Sequence, residues 1–529
     1  MKNAKSSDSS RWVSSTFATA TAVLFIGVSL GFLLLSRDSL GGPDFFFYLC
    51  YARDMVADPA AVSMQCYQYF PGVYAFWRTA IRIVGLDLAS LQSVYLAVLI
   101  LNGLLVGGIL MRILKSRLAA VFGVIWYWVL CSRFQGLEGV AEPIATVPFL
   151  VGLLCWGGHP LVGIRGLLRT VCLGVALGLT VYVRQQAGLL ALGTIWLLLP
   201  AAFRNRRPCS GKWTVLTGVP DCRVLLLLPL TAAVVFGFAL RAEGQGWEPL
   251  QIGLAHVGSY TTRGDWFGNL YTIARTDESV VLALFLCIGG LMWRSRSRDL
   301  DAVDQPWREI AGVCVIAILA TLWQFRTRPY GHYALLALPC LVIAAVAVMS
   351  QLLLAHWARY GKRRQWFAGM VLAAVPLLIG SWRPGTLAIW RVIPDRQAAY
   401  RPLWHRQPEI TRDLQRIRQI VPPRSSVLVL PPRHRSIHYL TGTRSSRQRG
   451  YGFRARSLQE LSWVSCGWVV LMTSGLDETD LAIWGSSQIE EAVNALKQNG
   501  FRQAARLETM LVFQRRADST VSSQPDLDR

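Results

Sequence analysis

Apolar runs of near bilayer-spanning length, broken by short basic stretches, occupy the chain from residue 12 to residue 382. Their spacing predicts about eleven transmembrane helices, near residues 12–35, 88–111, 118–132, 144–158, 167–183, 187–203, 223–240, 279–293, 309–325, 334–354 and 367–382. Several runs are short for a hydrocarbon core of about 30 Å, so their ends are soft. The first run, Trp12 to Leu35, is too long for a signal peptide and lacks a small-residue cleavage site, so it reads as a retained span. Beyond residue 383 the pattern changes. Pro408 to Val421 alternates charge and aliphatics at helical spacing, and "SSVLVLPP" and "GWVVLMTS" read as short buried strands. "SSQIEEAVNALKQNG" reads as a helix with Ser487 and Glu490 as a capping box and Gly500 as its stop, and "ARLETMLVFQRR" as a further strand.

Charge in the breaks orients the bundle. Lys2, Lys5 and Arg11, then Arg112, Lys115 and Arg117, then Arg165 and Arg169, recur on alternate sides of the span count. Arg204, Arg206, Arg207 and Lys212 continue the series, as do Arg294, Arg296 and Arg298, and Arg359, Lys362, Arg363 and Arg364. All six groups fall on one face, which the positive-inside rule makes cytoplasmic. The amino terminus is then inside, and the 36–87, 133–143 and 241–278 loops lie outside with everything after about residue 383. The expected fold is an α-helical polytopic membrane bundle over residues 1–382, a small extracytoplasmic α/β domain over 383–516, and a polar, disordered tail over 517–529.

Composition agrees. The chain is 53% hydrophobic and 16% charged, where a soluble protein would be about a quarter charged. The formal charge of +23 is spread through loops and tail, which fits membrane orientation and argues against a nucleic-acid partner. Eleven cysteines show no CxxC pair or His-Cys metal spacing, and most lie inside apolar runs. Cys50 and Cys66 share one outer loop; nothing in the sequence fixes their separation, so two thiols are expected over a disulfide.

Polar residues at the outer edge carry the candidate chemistry. Asp44 follows the first span within a few residues, between Gly41, Gly42 and Pro43 and a run of aromatics. Glu138 and Glu142 sit at the start of the fourth span. Carboxylates at this depth are costly and mark function, although a turn acid at 44 and a helix N-terminal acid at 142 are the plainer readings. "YQYFPGVYAF", residues 67–76, suits an interfacial aromatic segment. Arg184, Gln185 and Gln186 interrupt apolar sequence at the outer end of the fifth span, where arginine either grips a phosphate or snorkels. Arg326, Arg328, His332 and Tyr333 lie between the ninth and tenth spans, suited to an anionic lipid headgroup. In the 256–275 loop Asp265 is a less favoured alternative acid.

The order of these features resembles the GT-C glycosyltransferases that use polyprenyl-phosphate sugars, among them protein O-mannosyltransferases, lipid A aminoarabinose transferases and polyprenol-dependent mannosyltransferases. "PDFFFYLCYAR" is similar to that superfamily's first-loop acid followed by tyrosine, at Asp44 and Tyr48. "YQYFPGVYAF" resembles the Tyr-x-Tyr-Pro-Pro-like segment at Tyr69, with Gly72 in place of the second proline. "GVAEPIATVPFLVGLL" resembles the second acidic position at Glu142, and "RQQAGLLAL" the arginine-bearing fifth-span segment at Arg184 and Gln185. "GHYALLALPCLVIAA" resembles a late-bundle motif that would set His332 and Tyr333 near the donor phosphate.

The resemblance implies a multi-pass enzyme of the plasma or inner membrane. It would move a sugar from a polyprenyl-phosphate donor to a lipid, glycan or protein acceptor on the outer face, with inversion. Asp44 would be the general base, with Glu142 as the second acid and Arg184, Arg328 and His332 at the phosphate. Some relatives hold a divalent ion between acids, but Asp44 and Glu142 alone make a thin site, so no metal and no other cofactor is expected. Membrane lipids are the other partners. The rival readings are a transporter or flippase and a non-catalytic scaffold of the same fold. Transport is disfavoured because the ionisable groups gather at one face and no internal repeat is visible.

Overall fold

Two short helices, α1 (Pro43–Ala57) and α2 (Gly72–Val84), come before a series of longer ones. These are α3 (Leu88–Leu114), α4 (Arg117–Arg133), α5 (Ala141–Trp156), α6 (Gly163–Val183), α7 (Cys222–Ala242), α8 (Glu278–Arg296), α9 (Asp304–Arg326) and α10 (Leu338–Trp357). The computed structural model describes residues 27, 40–57, 71–134, 139–156, 163–188, 190–191, 194, 222–242, 251, 267–269, 271, 278–296, 304–326, 334–357, 408–430, 434, 436–445, 466–474 and 486–516. The expected spans at 12–35, apart from residue 27, and 367–382, and most of 187–203, lie outside these residues. The chain divides into two compact units. One comprises Met1–Asp38, Tyr69–Val73 and Leu88–Asp395; the other comprises Ser39–Gln68, Tyr74–Asp87 and Arg396–Arg529.

The first unit is helical. α3 packs against α4, α5 and α10; α5 packs on α6, and α6 on α7; α8, α9 and α10 pack together. Among the described residues, Leu88–Leu114 and Arg165–Val183 are long and apolar enough to cross a membrane by length and composition; the other helices of the unit carry shorter apolar stretches. Their outer faces carry large apolar side chains: Phe238 is 74% exposed and Phe285 68%. Such a surface needs an apolar partner. Inside, the contacts are close. A Cβ at Gly178 of α6 would stand 2.6 Å from the Ala232 carbonyl oxygen of α7, so only a hydrogen fits there, as is common between membrane helices. Trp128 Nε1 of α4 donates to the Leu99 carbonyl of α3 at 3.0 Å, which gives a buried indole its partner.

The second unit contains a five-stranded sheet built from the end of the chain. Its elements are α11 (Pro408–Ile420), β1 (Ser426–Leu430), α12 (Ser436–Thr441), β2 (Arg444–Ser445), β3 (Trp468–Met472), α13 (Ser486–Gln498), β4 (Phe501–Arg506) and β5 (Met510–Arg515). Strand order is β2-β1-β3-β5-β4. β1 runs parallel to β2 and β3, and β5 runs antiparallel to β3 and β4. Alternate strand residues face opposite ways. Leu428, Leu430, Val469, Leu471 and Phe513 meet Ala492 and Leu496 of α13 on one face. Val427, Val429, Val470 and Val512 meet Ile410, Leu414 and Ile417 of α11 on the other. The stretch read from sequence as one strand, "ARLETMLVFQRR", is a turn and strand of a hairpin whose first strand, β4, has three exposed residues in its centre, Arg502, Gln503 and Ala504. An edge strand that buries so little leaves no alternation to read.

One buried acid ties α11 to that hairpin. Asp413 accepts from the Thr509 backbone N–H at 2.6 Å, the Thr509 hydroxyl at 2.7 Å and the Glu508 N–H at 3.3 Å. Replacing Asp413 by Ala leaves buried donors unanswered at about 1–3 kcal/mol each. The Asp413→Ala protein is expected to lose the 486–516 region first in limited proteolysis, at denaturant concentrations the wild type survives.

Candidate active site

The first candidate acid sits where chain chemistry starts a helix. Gly41 takes φ 145°, a backbone setting that favours glycine. Pro43 opens α1, and Asp44 occupies its first turn, partly exposed at the positive end of the helix dipole. The remainder of the helix is nearly all internal: Phe45, Phe46, Phe47, Tyr48, Leu49, Cys50, Tyr51 and Ala52 are buried. An aromatic lattice locks it to α2. Phe45 meets Trp77 edge-on at 5.1 Å, Tyr51 meets Tyr74 at 5.6 Å, and Tyr48 meets Tyr74 at 5.9 Å. Edge-to-face rings at these separations add about 0.5–1.5 kcal/mol per pair beyond the area buried. Tyr48 and Tyr74 thus lie inside the packing that fixes Asp44.

The second acid lies in the first unit and has a partner. Glu142, in the first turn of α5, is fully buried, and its Oε1 stands 2.7 Å from an Arg184 guanidinium nitrogen whose side chain is 1% exposed. The two groups form a buried ion pair at the short distance typical of charge-assisted contacts. Two neighbours place the start of α5. Asn102 Nδ2 donates to the Pro143 carbonyl at 2.7 Å, and the Tyr95 hydroxyl donates to the Val140 carbonyl at 3.2 Å. Asn102 is 0% exposed in the middle of apolar α3, so its amide is a costly insertion, of which the Nδ2 is answered by this backbone. An amide in the middle of the apolar α3 run was the available sequence signal.

Arg184 is fixed from its own side as well. α6 ends at Val183, Arg184 is extended (φ −145°, ψ 115°), and Gln185–Ala187 form a single 3-10 turn. Gly72, which counts with this unit, approaches so closely that a Cβ there would lie 2.5 Å from the Tyr182 carbonyl oxygen. Gly72 stands where the resembled motif has its second proline, and here no side chain fits. Gly72→Ala is expected to cost about 1–3 kcal/mol through forced displacement, seen as a lower melting temperature of the detergent-purified chain. Gly188→Ala, where a Cβ meets open space, is the control and should melt as wild type.

Of the residues singled out from sequence, the structure brings Glu142 and Arg184 together, with Gln185 adjoining. Asp44 and Tyr48 belong to α1 in the other unit. Tyr69, Glu138, Asp265, Arg328, His332, Tyr333 and Cys66 lie outside the described residues. Among the described residues, no three His, Cys, Asp or Glu side chains gather in a way that could hold a metal ion.

The fold is similar to that of ArnT. Apo ArnT from Cupriavidus metallidurans matches with a TM-score of 0.60 at 15% identity, over 94% of this chain and 98% of that one. The same protein bound to undecaprenyl phosphate matches with a TM-score of 0.58 at 13% identity, over 94% and 99%. An oligosaccharyltransferase of Archaeoglobus fulgidus, in complex with Zn and sulfate, gives a TM-score of 0.46 at 15% identity, over 90% of this chain and 71% of that one. No protein-family model matches the sequence, and no curated protein sequence does.

Proposed function

We propose that this protein is an integral-membrane glycosyltransferase that takes a sugar from a polyprenyl-phosphate donor. The observation that carries the proposal is the likeness to ArnT over nearly the full length of both chains, including ArnT with undecaprenyl phosphate bound. The apolar outer faces of the helical unit support a membrane setting.

The reaction needs few parts. The Asp44 carboxylate takes the proton of an acceptor hydroxyl, and the acceptor oxygen forms a bond to the anomeric carbon. The bond from that carbon to the phosphate oxygen breaks, and polyprenyl phosphate leaves with the electron pair. Direct displacement inverts the anomeric centre. Positive charge near the leaving phosphate lowers the barrier, and Arg328 and His332 are the proposed holders, with Tyr69 and Tyr333 beside the donor. Glu142 lies 2.7 Å from one nitrogen of Arg184, and this buried ion pair is the proposed holder of a cation near the anionic end of the donor. The acceptor is a lipid, a glycan or a protein hydroxyl, and the amino terminus is cytoplasmic with the α/β segment outside.

The test is to supply membranes containing the protein with labelled polyprenyl-phosphate sugars and to follow label into lipid, glycan and protein fractions. Transfer into one fraction identifies the acceptor class. Label that stays on the polyprenyl lipid in every fraction argues against the proposal.

A further inference from the structure

The mechanism above uses Asp44 but leaves unexplained what grips the far end of its helix. The last turns of α1 carry Arg53 and Asp54, two ionisable groups that the aromatic lattice does not need. Arg53 lies nine residues beyond Asp44, about 13 Å along the helix axis. Its Nη1 donates to the His438 carbonyl at 2.9 Å and its Nη2 to the Thr443 carbonyl at 2.6 Å. The His438 carbonyl is in the last turn of α12, a six-residue helix that stops at Thr441 with Gly442 at φ 72°, and the Thr443 carbonyl lies just beyond it. A helix end presents unpaired carbonyls and the negative pole of the dipole, so a planar two-armed cation is the matching partner.

Five further contacts reinforce the junction. Asp54 Oδ1 accepts from Arg53 Nε at 3.1 Å and lies 3.9 Å from Arg444 Nε on β2. The Tyr439 hydroxyl donates to the Leu86 carbonyl at 2.7 Å, just past α2, while its ring lies 6.0 Å from that of Phe46. The Arg53 guanidinium also sits 5.9 Å from the Tyr439 ring. Burial holds the Tyr439 phenol well above its ordinary range, and the nearby Arg53 only partly offsets this. The hydroxyl therefore remains a donor at physiological pH.

We propose that Arg53 and Tyr439 are positioning residues: through them the 436–445 segment of the C-terminal α/β sheet holds the Asp44 helix in its working orientation. The sheet is then part of the catalytic apparatus, acting through α1 without touching substrate. The inference rests on the reading of Asp44 as the base, and the experiment separates the two.

Full-length Arg53→Met, Arg53→Lys, Tyr439→Phe and Asp44→Asn proteins are compared in sugar transfer, melting temperature and hydrogen exchange of residues 43–57. Arg53→Met should lower kcat about 10–100-fold, the scale of a misplacement of about 1 Å at a reacting group. The KM for the donor and the melting temperature should stay near wild type, and exchange should quicken in 43–57 but not in α3–α10. Arg53→Lys, which keeps one donor arm, should recover part of the rate, and Tyr439→Phe should fall between it and wild type. Wild-type kcat and exchange in Arg53→Met overturn the inference. So does a loss in which kcat and melting temperature fall together while KM rises, because that is general destabilisation. If Asp44→Asn transfers sugar at the wild-type rate, the reading of Asp44 fails instead, while the exchange data still report whether Arg53 anchors α1.

Discussion

Asp44→Asn should lower sugar transfer about 10²–10⁴-fold, the usual contribution of a general base, with the protein still inserted and folded. The substitution keeps the shape of the side chain and removes its charge and basicity. Folding has little reason to notice. Asp44 is partly exposed in the first turn of α1, and the residues that pack the helix are Phe45 to Ala52, its aromatic neighbours from α2, and the α12 junction at its far end. An acid that merely complements a helix dipole is worth about 0.3–1 kcal/mol, so the plain structural reading of Asp44 forecasts a small loss of stability and an unchanged rate. The two readings differ by orders of magnitude in one assay. Equal recovery of the variant in detergent, with an unchanged melting curve, removes misfolding as an explanation of lost rate.

The second large effect is on stability. Glu142 and Arg184 are each 1% exposed at the side chain and 2.7 Å apart. Two buried charges so arranged add little net stability relative to apolar residues, yet removing one strands the other away from water, at about 3–5 kcal/mol. Glu142→Leu and Arg184→Met should therefore each depress the melting temperature sharply. The double variant should melt near wild type, since an apolar pair of similar volume replaces both charges. Additive losses in the double variant would show that the two side chains do not act as a pair. Transfer activity supplies a second reading: the double variant should remain impaired in turnover, because restored packing does not restore the cation proposed to face the donor.

Much of the architecture could be read before any coordinates, because it rests on local signals. Apolar runs gave the positions of α3 to α10, short buried apolar stretches gave β1 and β3, and the stretch read as a further strand contains β5. Asp44 and Glu142 stood out because acids beside membrane-depth sequence are conspicuous. What escaped was pairing at long range. Arg184 was read as a phosphate ligand and Glu142 as a separate acid; nothing in either local sequence says that one helix start and one helix end converge on a shared ion pair. Arg53 carries no local signal of its role, because its partners are 385 and 390 positions away. The aromatic stretch at 67–76 was read as a surface anchor, whereas Tyr74 and the neighbouring Trp77 are buried against α1. An aromatic residue signals an apolar environment without saying whether lipid or another ring provides it. Strand β4 escaped for the opposite reason, having too little buried surface to leave a pattern.

The account turns on whether the wild-type chain moves a sugar off a polyprenyl phosphate. Reconstituted in vesicles with a radiolabelled polyprenyl-phosphate sugar and a membrane extract as acceptor source, it should release unlabelled polyprenyl phosphate and build up label in an acceptor fraction, and the Asp44→Asn protein should do neither. Labelled donor that stays chemically intact with the wild-type protein, or that only changes leaflet, would contradict the account.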